Sequence, residues 1–350
     1  MAQSSGRTRR TSTTLEEVAL LAGVSRATVS RVVNGSPRVS PDVRIDVQAA
    51  IDRLGYVPNR AARSLVTRRS DSIAVVIAEP TGRLFSDPFF PRLLRGISSE
   101  LAARDRQLIL LMPETPADEI RTADYLTAGH VDGALLVSLH AADPLPDRLA
   151  AAGIPMVLVG RSAKGVNASY VDVDNRQGAQ SAVAHLVSGG RHVIATIAGP
   201  QDMAAGLDRL NGYREALGDA GLQPDASLEA IGDFTQESGV AAMTRLLEGR
   251  PDIDAVFAAS DLMAAGALAV LAAAGRRVPA DVAVVGFDDS PVAMTTTPQL
   301  TSVRQPIEAM GHEVARLLVD AVEASDLVPR RVILATDLVR RASSAGRPSP

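Results

Sequence analysis

The sequence predicts a small all-α head that contains a helix-turn-helix, followed by an α/β core of two lobes with parallel sheets. Three observations predict this division. Residues 14–35 have the spacing of two short helices separated by a tight turn. From Ile73 to about residue 340, short apolar runs alternate with helical stretches. The charge balance also changes from basic to acidic between the two parts.

The helix-turn-helix prediction rests on the stretch TLEEVALLAGVSRATVSRVVNG, residues 14–35. Thr14 is a good N-cap, and Glu17 completes a capping box with it. Gly23 breaks this first helix because glycine adopts positive φ without a steric cost. Ser25 caps a second helix, and Asn34-Gly35 ends it. A second helix of this kind is shaped for the DNA major groove.

A helical hairpin inside an unrelated core is the alternative. It is disfavoured because Arg26 and Arg31 share one face of the second helix, which a buried hairpin would not carry. A third helix is predicted from Ser40-Pro41 to Gly55, with proline at its first position. The three helices form a small bundle, residues 14–56, whose predicted core comprises Leu15, Val18, Val29, Val32, Val47, Ile51 and Leu54.

Charge is unevenly distributed along the chain. Residues 1–70 contain twelve arginines, no lysine and five acidic residues, a net charge of +7, whereas the remainder has a net charge of −11. A basic head on an acidic body is typical of a module that binds a polyanion, and nucleic acid is the favoured one. For Arg7, Arg9 and Arg10 alone a solvated tail is favoured, because residues 1–13 are predicted to be a disordered basic arm.

Composition excludes several classes of protein. The chain has no cysteine, so neither disulfides nor thiolate metal sites hold the fold. It has no apolar run of about 18 residues that would span a membrane. The start is polar and basic, unlike a secretory signal, so we expect a cytoplasmic protein without a membrane partner.

The segment between head and core, residues 57–72, is predicted to hold a short helix and a linker. Pro58 can open a helix that runs to Leu65, and TRRSDS at residues 67–72 is a polar linker. Residues 341–350 are predicted to be a disordered tail.

The core, residues 73–340, is predicted from alternating strands and helices, a pattern of parallel sheets covered on both faces. Its length favours two sheets with a cleft between them. The predicted strands are Ile73–Ala78, Gln107–Met112, Gly133–Val137, Met156–Val159, Val193–Ala198, Ala255–Ala259 and Val282–Gly286. The predicted helices are Arg92–Ala103, Asp118–Ala128, Pro146–Ala152, Arg176–Val187, Arg209–Ala220, Ser238–Leu247, Leu262–Ala274 and Ile307–Glu323.

Polar residues follow several of these strands, where open parallel sheets bind ligands. Carboxylates and guanidinium groups that converge on a cleft suit a polyhydroxylated ligand, whose hydroxyls donate to Asp and accept from Arg. The candidates are Glu79, Gly160-Arg161, Arg209, Ser260-Asp261 and Asp288-Asp289; Asp174 is a further one, although capping of the next helix is favoured for it.

Three of the six phenylalanines fall within six residues: Phe85, Phe89 and Phe90. We expect them in one loop, where burial for packing alone is a weak explanation. An apolar wall for the C–H face of a sugar ring would explain them. The alternative is a hydrophobic anchor for the loop.

The head strongly resembles the DNA-binding head of the LacI/GalR, or lactose-repressor, family of bacterial transcription regulators. The match runs without a gap through Thr14-Leu15, Glu17-Val18-Ala19, Ala22-Gly23-Val24-Ser25 and Thr28-Val29-Ser30-Arg31-Val32-Val33-Asn34-Gly35. The resemblance covers about residues 14–340. It implies a core similar to periplasmic sugar-binding proteins, with two α/β lobes joined by three crossovers.

The resemblance also implies which residues bind DNA. Leu65 matches the leucine that the paired hinge helices push into the central base step; the alternative is that it packs on the head. The implied DNA-binding residues are Thr14, Ser25, Arg26, Ala27, Thr28, Ser30, Arg31, Asn34, Arg38, Tyr56, Asn59, Arg60, Arg63 and Leu65.

For the effector, the resemblance implies contacts from Arg209, four residues before Tyr213, and from Asp288. The chain departs from members of the family that carry an aspartate where it has Gly160. The full set of predicted effector-binding residues is Phe89, Phe90, Arg161, Arg209, Asp261 and Asp288.

Catalysis is not supported, because the five histidines are scattered and the chain has no P-loop, GxSxG or GxGxxG motif. We therefore expect the protein to have no enzymatic activity and to bind no metal or cofactor. We expect it to be a repressor that leaves a palindromic operator when a sugar or polyol binds. Reading two half-sites requires a homodimer, or a tetramer built from it. The alternatives are a regulator that uses a corepressor or a partner protein, and a pure sugar-binding receptor.

Overall fold

The computed structural model describes residues 13–33, 36–56, 69–324 and 328–345. The chain divides into two compact units, Met1–Ser70 and Asp71–Pro350. The first unit is the head and the second is the core.

The head contains the predicted helix-turn-helix. Thr14 Oγ1 accepts a hydrogen bond from the Glu17 amide at 3.3 Å, and the Thr14 amide donates to the Glu17 carboxylate at 2.8 Å, which completes the capping box. Gly23 takes a φ of +67° in the turn. Ser25 Oγ then accepts from the Thr28 amide at 3.1 Å and caps the second helix. The helices are α1 (Leu15–Leu21), α2 (Arg26–Val33) and α3 (Pro41–Leu54).

The hydrophobic core of the head contains all the predicted residues and also Ala19, Ala50 and Tyr56. Apolar side chains from all three helices face inward, and Tyr56, which was expected to bind DNA, closes the cluster after α3. Gly55 ends α3 in the left-handed conformation, as expected of a C-terminal glycine. The buried members are Val18, Ala19, Val29, Val32, Val47, Ala50 and Tyr56, with Leu15, Ile51 and Leu54 half-buried around them.

The core consists of two lobes, each built on a six-stranded sheet within the described residues. The strands are β1 (Ser72–Ile77), β2 (Gln107–Leu111), β3 (Gly133–Val137), β4 (Met156–Val159), β5 (Ser169–Val173), β6 (Ile194–Ala198), β7 (Glu229–Ile231), β8 (Ala255–Ala258), β9 (Ala283–Asp288), β10 (Thr301–Arg304), β11 (Arg331–Leu334) and β12 (Asp337–Val339). In lobe 1 the strand order is β11-β5-β4-β3-β1-β2, and in lobe 2 it is β12-β10-β9-β8-β6-β7. All pairs are parallel except that β12 is antiparallel to β10.

Helices cover both faces of each sheet, as the alternating pattern predicted. On β1, for example, Ile73, Val75 and Ile77 join one apolar cluster, while Ala74 and Val76 join another on the opposite face. The helices are α4 (Thr81–Ser86), α5 (Phe89–Ala103), α6 (Pro116–Thr127), α7 (Leu145–Ala151), α8 (Asn175–Ser188), α9 (Ala204–Asp219), α10 (Gln236–Gly249), α11 (Asp261–Ala273), α12 (Pro291–Thr295) and α13 (Ile307–Glu323).

The chain crosses between the lobes three times: from β5 to α8, from β10 to α13, and from β11 to β12. The second crossover returns α13 to lobe 1, where it packs on α5. Gly96 and Gly311 allow this close crossing, because a Cβ on Gly311 would overlap the Leu93 carbonyl. The three crossovers and the two lobes agree with the expectation from the family resemblance.

Some elements were not predicted from the sequence. β5, β7, β10, β11 and β12 are only three to five residues long, and each includes at least one polar residue. The expected disordered tail is wrong for residues 341–345, which pack into lobe 2. Arg341 donates to Asp289 at 2.6 Å and to the Leu300 carbonyl at 2.8 Å, and Ser343 Oγ donates to the Val284 carbonyl at 2.6 Å.

Candidate functional site

A cavity lies between the lobes at the carboxyl ends of their strands, where parallel sheets bind ligands. It encloses about 660 Å³ of empty space, part of it open to solvent. We call it the interlobe cavity. It is lined by Arg83, Asp87, Phe89, Phe90, Val137, Ser138, Val159, Gly160, Asp172, Asn175, Met203, Ala205, Arg209, Phe234, Ser260, Asp288, Gln305 and Met310.

Arg209 is the buried cation of the interlobe cavity, with 5% of its surface exposed. Its Nε donates to Asn175 Oδ1 at 2.9 Å, and its Nη1 donates to the Ala259 carbonyl at 2.5 Å. The guanidinium lies over the Phe287 ring, 3.7 Å from the ring centroid. Burial lowers the pKa of Arg209, while nearby carboxylates, Asp288 first among them, raise it. These contacts hold the guanidinium in one orientation before any ligand binds.

Asp288 faces Arg209 across the cavity floor, with 3.6 Å between Oδ1 and Nη1. Its Oδ1 accepts from Gln305 Nε2 at 2.5 Å. It is the last residue of β9 rather than a loop residue, and its φ of +109° turns the chain sharply there. Burial raises the pKa of Asp288, and Arg209 opposes this shift. The Asp288 carboxyl group thus lies next to a fixed donor, in surroundings that disfavour its ionised form.

Aromatic rings form one wall of the cavity. Phe89 and Phe90 pack edge to face, with ring centroids 5.4 Å apart. They lie in the first turn of α5, so the expectation that they belong to a loop is wrong. Phe85 lies in α4, is 71% exposed and does not line the cavity. Phe234, which sequence reasoning missed, lines the cavity from lobe 2.

Arg83 is a second cation of the cavity that the sequence did not reveal. Its guanidinium lies 5.4 Å from the centroid of the Phe234 ring and 6.0 Å from that of Phe90. Its Nη1 donates to Glu79 Oε1 at 2.7 Å. Its Nε is buried and has no hydrogen-bond partner among the described residues. A buried donor of this kind is costly unless a ligand satisfies it.

Two acidic residues of lobe 1 also line the cavity and were missed. Burial raises the pKa of Asp87, whose carboxylate accepts from the Phe89 amide at 2.9 Å. Asp172 Oδ1 accepts from Asn175 Nδ2 at 2.9 Å. Asp172 lies in a strand that the sequence did not predict, so its position at a strand end could not be recognised.

Two of the predicted effector-binding residues do not line the cavity. Asp261 is buried behind its wall, where its oxygens accept from Ser302 Oγ at 2.6 Å and from the Ser290 amide at 2.7 Å. This geometry gives Asp261 a supporting position rather than the direct contact expected. Arg161 lies beside the cavity and pairs with Asp172 at 3.0 Å and with Asp208.

A histidine contact joins the lobes at another point. His140 Nδ1 lies 2.7 Å from Asp202 Oδ2, and His140 Nε2 lies 3.8 Å from Glu79 Oε1. The two carboxylates, Glu79 first, raise the pKa of His140 to about 9 against the opposing effect of its burial. We call this contact the His140 clasp.

Asp174, a further candidate named from the sequence, caps α8 by accepting from the Gln177 amide at 3.0 Å.

The head exposes a different kind of surface. On α2, Val29 and Val32 point inward, whereas Arg26, Ala27 and Arg31 are exposed, as a recognition helix requires. Arg26 pairs with Glu16 at 3.0 Å. Ser25 and Arg38 are also exposed, Thr28 and Ser30 are half-buried, and Tyr56 is buried in the head core. Asn34, Asn59, Arg60, Arg63 and Leu65 lie outside the described residues.

Comparison with known proteins decides the family. A model of the bacterial regulatory proteins of the lacI family matches residues 14–59, and a model of a periplasmic binding protein-like domain matches residues 183–344. The HTH-type transcriptional regulator CelR of Thermobifida fusca is 54% identical over 338 residues, covering 96% of this chain and 99% of that protein. The chain belongs to the LacI family. It is a DNA-binding transcriptional regulator.

Solved structures of LacI-family proteins resemble this chain over most of its length. A structure described as a transcriptional regulator CelR–cellobiose complex has a TM-score of 0.77 at 51% identity and covers 95% of this chain and 99% of its own. A lac repressor dimer bound to operator and the anti-inducer ONPF has a TM-score of 0.83 at 28% identity, with the same coverage.

In the described ranges, no helix of this LacI-family protein is long and apolar enough to span a bilayer, and no cluster of side chains suits a metal ion.

Proposed function

We propose that the protein is a homodimeric repressor that leaves a palindromic operator when a short β-linked glucose saccharide, such as cellobiose, binds in the interlobe cavity. The observation that carries this proposal is the pairing of Arg209 with Asp288 below a wall of phenylalanine rings. Such a regulator acts on the chromosome, in the cytoplasm.

The chemistry of the interlobe cavity suits a neutral sugar. Sugar hydroxyls can donate to Asp87, Asp172 and Asp288 and accept from Arg83 and Arg209, so charged groups of both signs are satisfied by one uncharged ligand. Phenylalanine rings match the flat C–H face of a pyranose, which an acyclic polyol does not present. A sugar is therefore favoured over a polyol.

The relatives support the choice of saccharide. The CelR structure that is 51% identical in sequence to this chain is described as a complex with cellobiose. Dimer formation is inferred from the head, since one helix-turn-helix contacts a single half-site and a palindrome requires two. Sedimentation of the purified protein would distinguish a dimer from a tetramer.

The test is operator release. A DNA fragment with an inverted repeat, selected by the protein from random sequences, is labelled and its anisotropy followed while cellobiose is added. We expect release by cellobiose but not by maltose, which has the same composition with an α linkage, or by sorbitol. Tighter binding on addition of cellobiose would identify a corepressor instead. If no saccharide changes operator affinity, the proposed effector class is wrong, and a protein partner becomes the better explanation.

A further inference from the structure

A second depression adjoins the interlobe cavity. It has about 750 Å³ of empty space, and Tyr170, Ser162 and Arg331 lie on its walls. We call it the outer groove. The two spaces have no lining residue in common, but neighbouring residues line them: Gly160 lines the cavity and Arg161 the groove, and Ala205 lines the cavity and Ala204 the groove. The two spaces therefore lie side by side.

Arg161 stands on the boundary between the two compartments. Its Nε donates to Asp172 Oδ2 at 3.0 Å in lobe 1, and its Nη2 donates to Asp208 in lobe 2. Asp172 lines the cavity and Asp208 lines the groove. The side chain of Arg161 therefore joins the two lobes at the boundary between the interlobe cavity and the outer groove.

The two partners of Arg161 hold it differently. Asp172 is buried and fixed, because its Oδ1 accepts from the Val173 amide at 2.8 Å and from Asn175 at 2.9 Å. Asp208 has only this ion pair among the described residues, and Arg161 itself is 40% exposed. Because Arg161 is partly exposed, water screens its pair with Asp208, which is 17% exposed, and the pair contributes only modestly to folding.

We infer that Arg161 limits the length of the saccharide that this protein accepts. The inference rests on the proposed saccharide effector. With Arg161 paired to Asp208, the interlobe cavity is closed at this end and takes a short saccharide. Without the pair, cavity and outer groove become continuous, and a further sugar unit can extend towards Tyr170 and Ser162. Arg161 thus acts as a gate, not as the direct effector contact expected from its place after β4.

An ordinary structural ion pair would behave differently. If Arg161 only stabilised one arrangement of the lobes, its loss would change the affinity for every saccharide by one factor. A gate changes the ratio between long and short saccharides. That ratio separates the two roles, and it does not depend on the absolute stability of the variants.

The experiment measures Kd by calorimetry for the β-linked glucose disaccharide and trisaccharide, with the full-length wild type, Arg161→Ala and Asp208→Asn. The matched control is Asp202→Asn, which removes a cross-lobe partner away from the groove, in the His140 clasp. We expect the wild type to prefer the disaccharide at least tenfold, both gate variants to reduce that preference at least fivefold, and the control to keep it. Operator binding of each variant without saccharide verifies its fold.

Three results would overturn the inference. Equal wild-type affinity for the two saccharides would show that no gate exists. A uniform loss in both gate variants would make Arg161 a structural residue, while the proposed function stands. Binding of neither saccharide to the wild type would remove the proposed effector class and the gate together.

Discussion

Replacing Asp288 with asparagine would separate effector sensing from DNA binding. The substitution keeps the shape of the side chain but replaces one carboxylate oxygen with an NH₂ group. Asp288 Oδ1 already accepts from Gln305, so the remaining oxygen is the acceptor that a ligand hydroxyl can use. At a pH where Asp288 is ionised, the variant therefore loses a charged acceptor in the interlobe cavity, while its hydrogen bond to Gln305 can be kept.

The size of the effect follows from one charged hydrogen bond. Such a bond contributes about 1.5–3 kcal/mol, so effector affinity should fall about 10- to 150-fold. Folding should respond in the opposite sense. Burial raises the pKa of Asp288, so its ionised form is disfavoured in the folded state. The free energy of unfolding therefore falls as the pH rises above the pKa that Asp288 has in the unfolded chain. The asparagine variant should lose less stability than the wild type between pH 5 and pH 8.

The assay is a titration of the labelled operator complex with cellobiose, followed by anisotropy, with thermal melting at both pH values. We expect operator affinity near that of the wild type without effector, and release only at a much higher effector concentration. Release at the wild-type concentration would place Asp288 outside the effector site. Loss of operator binding without any effector would mean that the carboxylate is needed for folding.

Three further predictions concern other parts of the molecule. Arg31→Ala should cost about 1–3 kcal/mol on the operator and much less on random DNA in gel shifts; equal losses would mean that Arg31 contacts only phosphate. His140→Gln should flatten a decline in melting temperature between about pH 6.5 and pH 9. Because the pKa of His140 is raised to about 9, the protonated histidine stabilises the folded state fully below this window, and the stabilisation is lost as the pH rises through it. Its partial exposure limits that effect to about 1 kcal/mol, and a profile identical to that of the wild type would remove the clasp from the stability of the core. Gly311→Ala should destabilise by about 1–3 kcal/mol in calorimetry, because its Cβ would overlap the backbone of α5, whereas Gly218→Ala, with open space around it, should be neutral or stabilising; similar melting of both variants would refute the close-crossing argument.

Local signals predicted the head well. Thr14, Glu17 and Ser25 form their caps with neighbours within three residues, so the sequence contains the whole interaction. The long apolar strands were predicted because each is a continuous apolar run in the sequence. β10 was missed because its stability comes from parallel pairing with β9 and from buried polar contacts of Thr301 and Ser302, which are not local in the chain.

The candidate site was only partly predictable. Arg209 and Asp288 were found because strand ends and the family resemblance both indicate them. Arg83 and Phe234 were missed, since their contact joins segments about 150 residues apart and only the fold brings them together. Asp261 shows the converse error: a carboxylate after a strand can turn inward to bond buried hydroxyl and amide groups instead of facing the cleft.

The crossovers between the lobes do more than connect them. Asn175, just after the first crossover, holds Arg209, and Gln305, within the second, holds Asp288. Both supporting residues thus lie where the chain passes between the lobes, and we expect a change in the angle between the lobes to alter how Arg209 and Asp288 are held. By thermodynamic reciprocity, an operator that favours one hinge angle alters effector affinity by the same factor as the effector alters operator affinity. For the saccharide inducer proposed above, the affinity measured on the DNA-free protein should therefore be tighter than the affinity that governs release at a promoter.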